Sequence, residues 1–274
     1  MPMMSKNFLI GGLAGAFSRT MTAPLELSKI QRQNSYMPHS TLRAVWEKEG
    51  IRGLWKGNFA NCVRIFPQMA INFMMFEWTK PRVAGAMNGS IPVPLVNFTS
   101  GAVAGMTAML AIYPLENVRS RLALQTNKDH YKGVADVVRK TPIRQLYNGL
   151  AMSMMGFAPY NALNFMFYNA CKERMIQGNT SKQEAPWMHL LCGGFSGTAA
   201  VTITYPTDVI RRRLQLQGFD EKVPRYTGIV HCVRKMWRCE GVRGLYGGLL
   251  QCYIKIFPTI ALQFWMIETL KKMV

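Results

Sequence analysis

The chain has 274 residues, 49% of them hydrophobic and only 17% charged, and its formal net charge is +19. A soluble domain usually carries about 25% charged residues, so this balance argues for a membrane protein or for a polyanionic partner. Six cysteines, Cys62, Cys171, Cys192, Cys232, Cys239 and Cys252, include no C-x-x-C pair, and four histidines lie far apart in sequence. Neither a disulfide framework nor a metal site is legible.

Only seven residues precede Phe8, with one lysine and no arginine, so any targeting information is expected inside the chain rather than in a cleavable leader. The first apolar stretch, roughly 8–31, contains Arg19 and ends in "TAPLELSKIQ", with Pro24, Glu26 and Lys29. The second, roughly 58–80, carries Arg64 and Asn72 and follows "EGIRGLWKGN". The third, 93–122, ends in "IYPLENVRSR", and the fourth, 150–172, follows "TPIRQLYNGL" and contains "GFAPYN". The fifth, 188–214, ends in "TYPTDVIRRR", and the sixth, 249–272, follows "EGVRGLYGGL" and carries Lys255.

The motif prolines Pro24, Pro114 and Pro206 are 90 and 92 residues apart, so one two-helix unit is repeated three times, over 1–90, 91–182 and 183–274. Upstream of each lies a small-residue pair, Gly11 and Gly15, Gly101 and Gly105, Gly193 and Gly197, a spacing that lets helix backbones approach closely. Each stretch exceeds the roughly 20 residues a helix needs to cross about 30 Å of hydrocarbon. The expected architecture is an all-α membrane protein whose six transmembrane helices surround a central cavity with pseudo-three-fold symmetry.

A charge at the centre of a span costs about 2.5–3.5 kcal/mol on insertion scales. An acid and a base three residues apart recover only about 0.2–0.5 kcal/mol. The motif charges therefore face a shared aqueous interior, where the acids Glu26, Glu116 and Asp208 and the bases Lys29, Arg119 and Arg211 form one ring. Each acid can meet the base of the next repeat, and each proline bends its helix inward. The long loops are basic, with Arg32, Arg43, Lys48 and Arg52, then Lys128, Lys132, Arg139, Lys140 and Arg144, then Lys222, Arg225, Arg234, Lys235, Arg238 and Arg243. The short loops offer little beyond Arg82, Arg174 and Lys182, so the long loops share one compartment and both termini lie on the other side.

These residues resemble the mitochondrial carrier family over essentially the whole chain. The pattern P-x-[DE]-x-x-[KR]-x-[KRQ] followed by [DE]-G-x(4)-[FWY]-[KR]-G is complete in repeat one, through Pro24, Glu26, Lys29, Glu49, Gly50, Trp55, Lys56 and Gly57. Repeat two departs at Thr141, Pro142 and Asn148, and repeat three at Gly247. The resemblance implies localisation in the mitochondrial inner membrane, with a mitochondrion-derived or other organelle membrane as the alternative, a monomer, no cofactor, and cardiolipin as a bound lipid, with less support for the lipid in repeats two and three. It also implies a matrix gate made by the six ring residues. A cytoplasmic gate is implied at Glu77 and Lys80, at Lys172, and at Glu268 and Lys271. Asn169 replaces an acid there, so the second gate is expected to be the weaker.

Three cations, Arg19, Arg64 and Lys255, with Asn72 and the "GFAPYN" residues Gly156, Phe157, Tyr160 and Asn161, suit an anionic, ring-bearing solute with phosphates. The resemblance narrows this to adenine nucleotides exchanged by alternating access, with coenzyme A or an ATP-Mg/phosphate exchange as the near alternatives. No calcium-sensing extension is expected. An enzyme is disfavoured, since there is no G-x-S-x-G, no Walker A loop and no metal cluster. A basic soluble helical-repeat protein that binds nucleic acid is disfavoured because Arg19, Arg64 and Lys255 lie within the apolar segments.

Overall fold

A computed structural model describes residues 2–34, 42–86, 93–125, 131–177, 186–218 and 223–273. The loop residues Lys128, Lys182 and Lys222 lie outside this set. Repeat one comprises α1 (Pro2–Met21), α2 (Ala23–Gln33), α3 (Leu42–Glu49), a 3-10 turn (Ile51–Trp55) and α4 (Asn58–Ala86). Repeat two comprises α5 (Val93–Leu124), α6 (Val134–Lys140), α7 (Ile143–Leu146) and α8 (Leu150–Gln177). Repeat three comprises α9 (Pro186–Leu216), α10 (Ile229–Leu245) and α11 (Leu249–Met273).

The long helices close into a ring, α1 against α4, α4 against α5, α5 against α8, α8 against α9, α9 against α11, and α11 back against α1. At about 1.5 Å per residue these helices are long enough to cross a bilayer, and α5 and α11 are also apolar enough by composition alone. The ring charges lie on α2, α5 and α9 and pair with one another. Outward faces expose Leu13, Val63, Phe73, Leu110, Phe165, Phe195, Ile203 and Phe257. A soluble bundle would leave such an apolar belt in water, whereas lipid is its natural solvent. The chain is an all-α membrane protein, and the soluble helical-repeat alternative fails on this surface.

Pro24 brings no N–H to its helix, and the chain breaks between α1 and α2 at Thr22. The Thr22 hydroxyl donates to the Ser18 carbonyl at 2.8 Å, and the ladder resumes as the Glu26 N–H donates to the Thr22 carbonyl at 3.1 Å. In α5 and α9 the helix runs unbroken through Pro114 and Pro206. A second proline series, Pro67 in α4, Pro159 in α8 and Pro258 in α11, lies in the alternate helices.

Buried residues gather at the end that carries the motif prolines, where Leu27, Ile30, Val118, Leu122, Val137 and Leu146 form one cluster and Tyr205, Val209, Leu214, Cys232 and Met236 another. The short helices cap this end. Asp136 in α6 accepts the Lys132 backbone N–H at 3.0 Å and pairs with Lys140, and these donors hold its carboxyl below the usual range.

The small-residue pairs do not bring helix backbones together. A methyl added at Gly105 would lie 2.6 Å from the Phe157 ring, and one at Gly15 would meet Ile65, so both glycines receive side chains from α8 and α4. Gly101, Gly193 and Gly197 face open space.

Candidate functional site

The motif charges converge where α2, α5 and α9 meet. Glu26 of α2 pairs with Arg119 of α5 at 3.3 Å, Glu116 of α5 pairs with Arg211 of α9, and Asp208 of α9 pairs with Lys29 of α2 at 2.8 Å. Each acid thus takes the base of the following repeat, and the third returns to the first. Gln33 adds an amide donor to Asp208 at 3.2 Å and to the Tyr205 hydroxyl at 3.3 Å.

Three glycines with left-handed backbone bring the second helix of each repeat onto this ring. Gly57, Gly149 and Gly248 have φ of +74°, +85° and +85°. A methyl on each would lie 3.0 Å from the Arg119 carbonyl, 2.8 Å from the Arg211 carbonyl and 3.1 Å from the Lys29 carbonyl respectively. Two tyrosines next to the motif prolines lock the same joint, since the Tyr113 hydroxyl donates to the Asn148 carbonyl at 3.0 Å and the Tyr205 hydroxyl to the Gly247 carbonyl at 3.1 Å.

Above the ring lies a polar chamber of about 540 Å³, within the usual range for small-molecule sites. Arg19, Arg64, Asn72 and Lys255 line it, together with Glu26, Lys29, Glu116, Arg119 and Arg212. A second chamber of about 230 Å³ shares Lys29 and has mainly apolar and aromatic walls, with Gly156, Phe157, Tyr160, Met109 and Val201. Asn161 lines neither chamber; its amide donates to the Phe157 carbonyl of its own helix at 2.8 Å.

Details of the sequence expectation change. Lys255 pairs with Glu26, and Arg64 pairs with Glu116 at 3.4 Å, so these two cations sit on ring acids. Arg19 donates to the Asn61 side chain at 3.3 Å. Gly156 does not simply clear space for a solute, because a methyl there would meet the Thr207 hydroxyl at 2.7 Å; the glycine admits α9.

Arg212 belongs to the triple Arg211, Arg212 and Arg213 that resembles adenine-nucleotide carriers, although the spacing of the motif assigns it no gate or cavity role. It donates to the Ser120 hydroxyl at 2.6 Å and lies 4.0 Å from Glu26 and 3.8 Å from Glu116. The available signal was asymmetry, since the matching positions of the other repeats hold Ile30 and Ser120. At the opposite end lie the residues expected to form the second gate. Glu77, Glu268 and Lys271 make no ion pair among the described residues, and Lys80 lies 5.6 Å over the Phe76 ring.

A ring of helices closed by charges at one end, with a polar chamber above those charges, fits a membrane transporter. The family model described as mitochondrial carrier protein matches residues 2–86, 92–179 and 182–274. The chain belongs to this family of mitochondrial membrane transporters. It is 37% identical to the mitochondrial adenine nucleotide transporter of Arabidopsis thaliana, over 97% of this chain and 86% of that one. It is 32% identical to the mitochondrial carrier protein CoAc1 of Zea mays, over 99% and 87% of the two chains. It is 35% identical to solute carrier family 25 member 16 of Mus musculus, over 97% and 87%.

Proposed function

We propose that the protein exchanges adenine nucleotides across the mitochondrial inner membrane by alternating access. The observation that carries this reading is the division of the cavity. A chamber lined by Arg19, Arg64, Arg119, Arg212 and Lys255 shares Lys29 with a smaller chamber whose walls include Phe157, Tyr160 and Val201. Phosphates suit the first, and a planar base suits the second. The name of the Arabidopsis relative supports the same cargo.

In this reading the ring of Glu26, Lys29, Glu116, Arg119, Asp208 and Arg211 is the matrix gate, closed here. Glu77, Lys80, Lys172, Glu268 and Lys271 form the cytoplasmic gate, and the chamber opens to that side. Substrate bound near the midplane lowers the cost of opening one gate as the other closes. The carrier acts as a monomer with cardiolipin as a bound lipid and no cofactor. Coenzyme A is the second reading, favoured by the name of the Zea mays relative.

Ligand-dependent thermal unfolding of the detergent-purified chain tests the cargo. ATP and ADP at saturating concentration should raise the midpoint, because a ligand that binds only the folded state stabilises it. Arg64→Ala should reduce that rise. A rise with coenzyme A and none with ATP or ADP would move the protein to the second reading.

A further inference from the structure

The three repeats fasten their capping helices by different means, and repeat two does so without a carboxylate. In repeat three the Arg213 guanidinium grips Glu240, with Nη2 meeting Oε2 at 2.6 Å. In repeat one Gln31 stands where repeat three has Arg213, and Glu49 pairs with Lys56. Repeat two keeps the arginine, as Arg121, but has Thr141 in place of the acid and Asn148 in place of Lys56.

Arg121 is 2% exposed and Thr141 3%. The partners of Arg121 among the described residues are neutral: Nε donates to the Asn117 side-chain oxygen at 3.0 Å and Nη1 to the Tyr131 hydroxyl at 3.4 Å. Asn117 is held in place, because its amide donates to the Gln145 and Leu146 carbonyls. Nη2 and the Thr141 hydroxyl have no partner among the described residues. Nη2 is also the atom that, in Arg213, meets a carboxylate oxygen. Repeat two thus keeps both ends of the link and lacks the negative charge between them.

We propose that a small monovalent anion from solution takes the place of the missing carboxylate, held between Arg121 Nη2 and the Thr141 hydroxyl and fastening α6 and α7 to α5. A buried cation without a counter-charge is costly, and an anion that accepts from both donors removes the charge and both orphans at once. A water molecule would satisfy the donors and leave the charge. Tyr131, which bonds Arg121, belongs to the apolar cluster of Leu122, Val137 and Leu146, so little solvent screens that charge. Threonine is shorter than glutamate by about the carboxylate group, so the space suits chloride, nitrate or formate rather than an organic phosphate. Neither Arg121 nor Thr141 lines the chambers, and the site does not depend on which solute the protein carries.

Thermal unfolding of the detergent-purified full chain, without nucleotide, reads the site in sodium gluconate and in sodium chloride at equal ionic strength. Gluconate is too bulky to replace a carboxylate group. Chloride should raise the midpoint saturably, by about 2 °C or more, as a ligand confined to the folded state does. Thr141→Glu supplies its own carboxylate, so its midpoint in gluconate should exceed that of the unmodified chain and respond little to chloride. Arg121→Gln removes the charge and should also lose the response, whereas Arg64→Ala alters the chamber and should keep it.

Equal midpoints of the unmodified chain in the two salts would overturn the proposal, since the link would then hold no anion. A chloride response that survives in Thr141→Glu and vanishes in Arg64→Ala would overturn it too, by placing the anion in the chamber. Should Arg121→Gln or Thr141→Glu give no folded protein, Thr141→Val is the second variant. It keeps the shape of threonine and loses the donor, so half of the chloride effect should need about tenfold more chloride, the loss of one charge-assisted hydrogen bond. An unchanged chloride requirement in Thr141→Val would overturn the assignment.

Discussion

Gly149 shows how a single residue sets the ring. Its φ of +85° is a conformation that side chains with a Cβ rarely adopt, and the missing methyl leaves room for the Arg211 carbonyl and the Tyr113 hydroxyl. Gly149→Ala should lower stability by about 1–2 kcal/mol, the usual cost of left-handed backbone, before any clash is counted. Gly85→Ala is the control, since a methyl added at Gly85 would meet nothing within 4 Å beyond its own helix. Thermal unfolding of the two variants checks this, and equal midpoints would count against the packing described. The three glycines were visible in the sequence as the ends of "WKG", "YNG" and "YGG". That they touch the backbone of the next repeat was not, because a motif records spacing along the chain and not the partner across a three-fold interface.

Among elements, the joints around the short capping helices differ from repeat to repeat. In repeat three Arg213 makes a two-point pair with Glu240, with Nη2 to Oε2 at 2.6 Å. In repeat one Lys56 pairs with Glu49. Repeat two holds Arg121 at the position of Arg213 and Thr141 at that of Glu240. Arg121 is buried and bonds Asn117 at 3.0 Å and Tyr131 at 3.4 Å, while its Nη2 and the Thr141 hydroxyl have no partner among the described residues. Thr141→Glu should supply the missing acid and raise the unfolding midpoint by about 2 °C or more, as expected for roughly 1 kcal/mol in a chain of this size. A fall in the midpoint would mean that Arg121 is already satisfied. The departure at Thr141 was legible from alignment of the repeats; the buried guanidinium it leaves was not, since burial depends on how α6 closes over α5.

At the scale of the molecule, the two ends are unequal in charge pairing. Around the ring every acid has a base of another repeat, whereas at the far end Glu77 and Glu268 stand without an ion pair among the described residues. Removing one partner of a buried pair leaves an uncompensated charge and costs about 3–5 kcal/mol. Glu26→Gln should therefore change exchange more than Glu268→Gln in reconstituted vesicles; equal effects would contradict the ring as the stronger gate. The ring, its order and the six helices were legible because three copies of one motif must share an axis. The pairing of Lys255 with Glu26 and of Arg64 with Glu116 was not, because nothing in sequence separation tells whether a cation in α11 or α4 faces a solute or a neighbouring carboxylate.

The most direct measurement is uptake of radiolabelled ATP into liposomes holding the purified chain, preloaded in parallel with ADP, AMP, phosphate, coenzyme A or nothing. The account predicts uptake driven by internal ADP, with little into vesicles that lack internal substrate. Uptake supported only by coenzyme A or only by phosphate would contradict the adenine-nucleotide assignment. Absence of uptake under every preload, with Arg64→Ala indistinguishable from the unmodified chain, would contradict the nucleotide assignment as a whole.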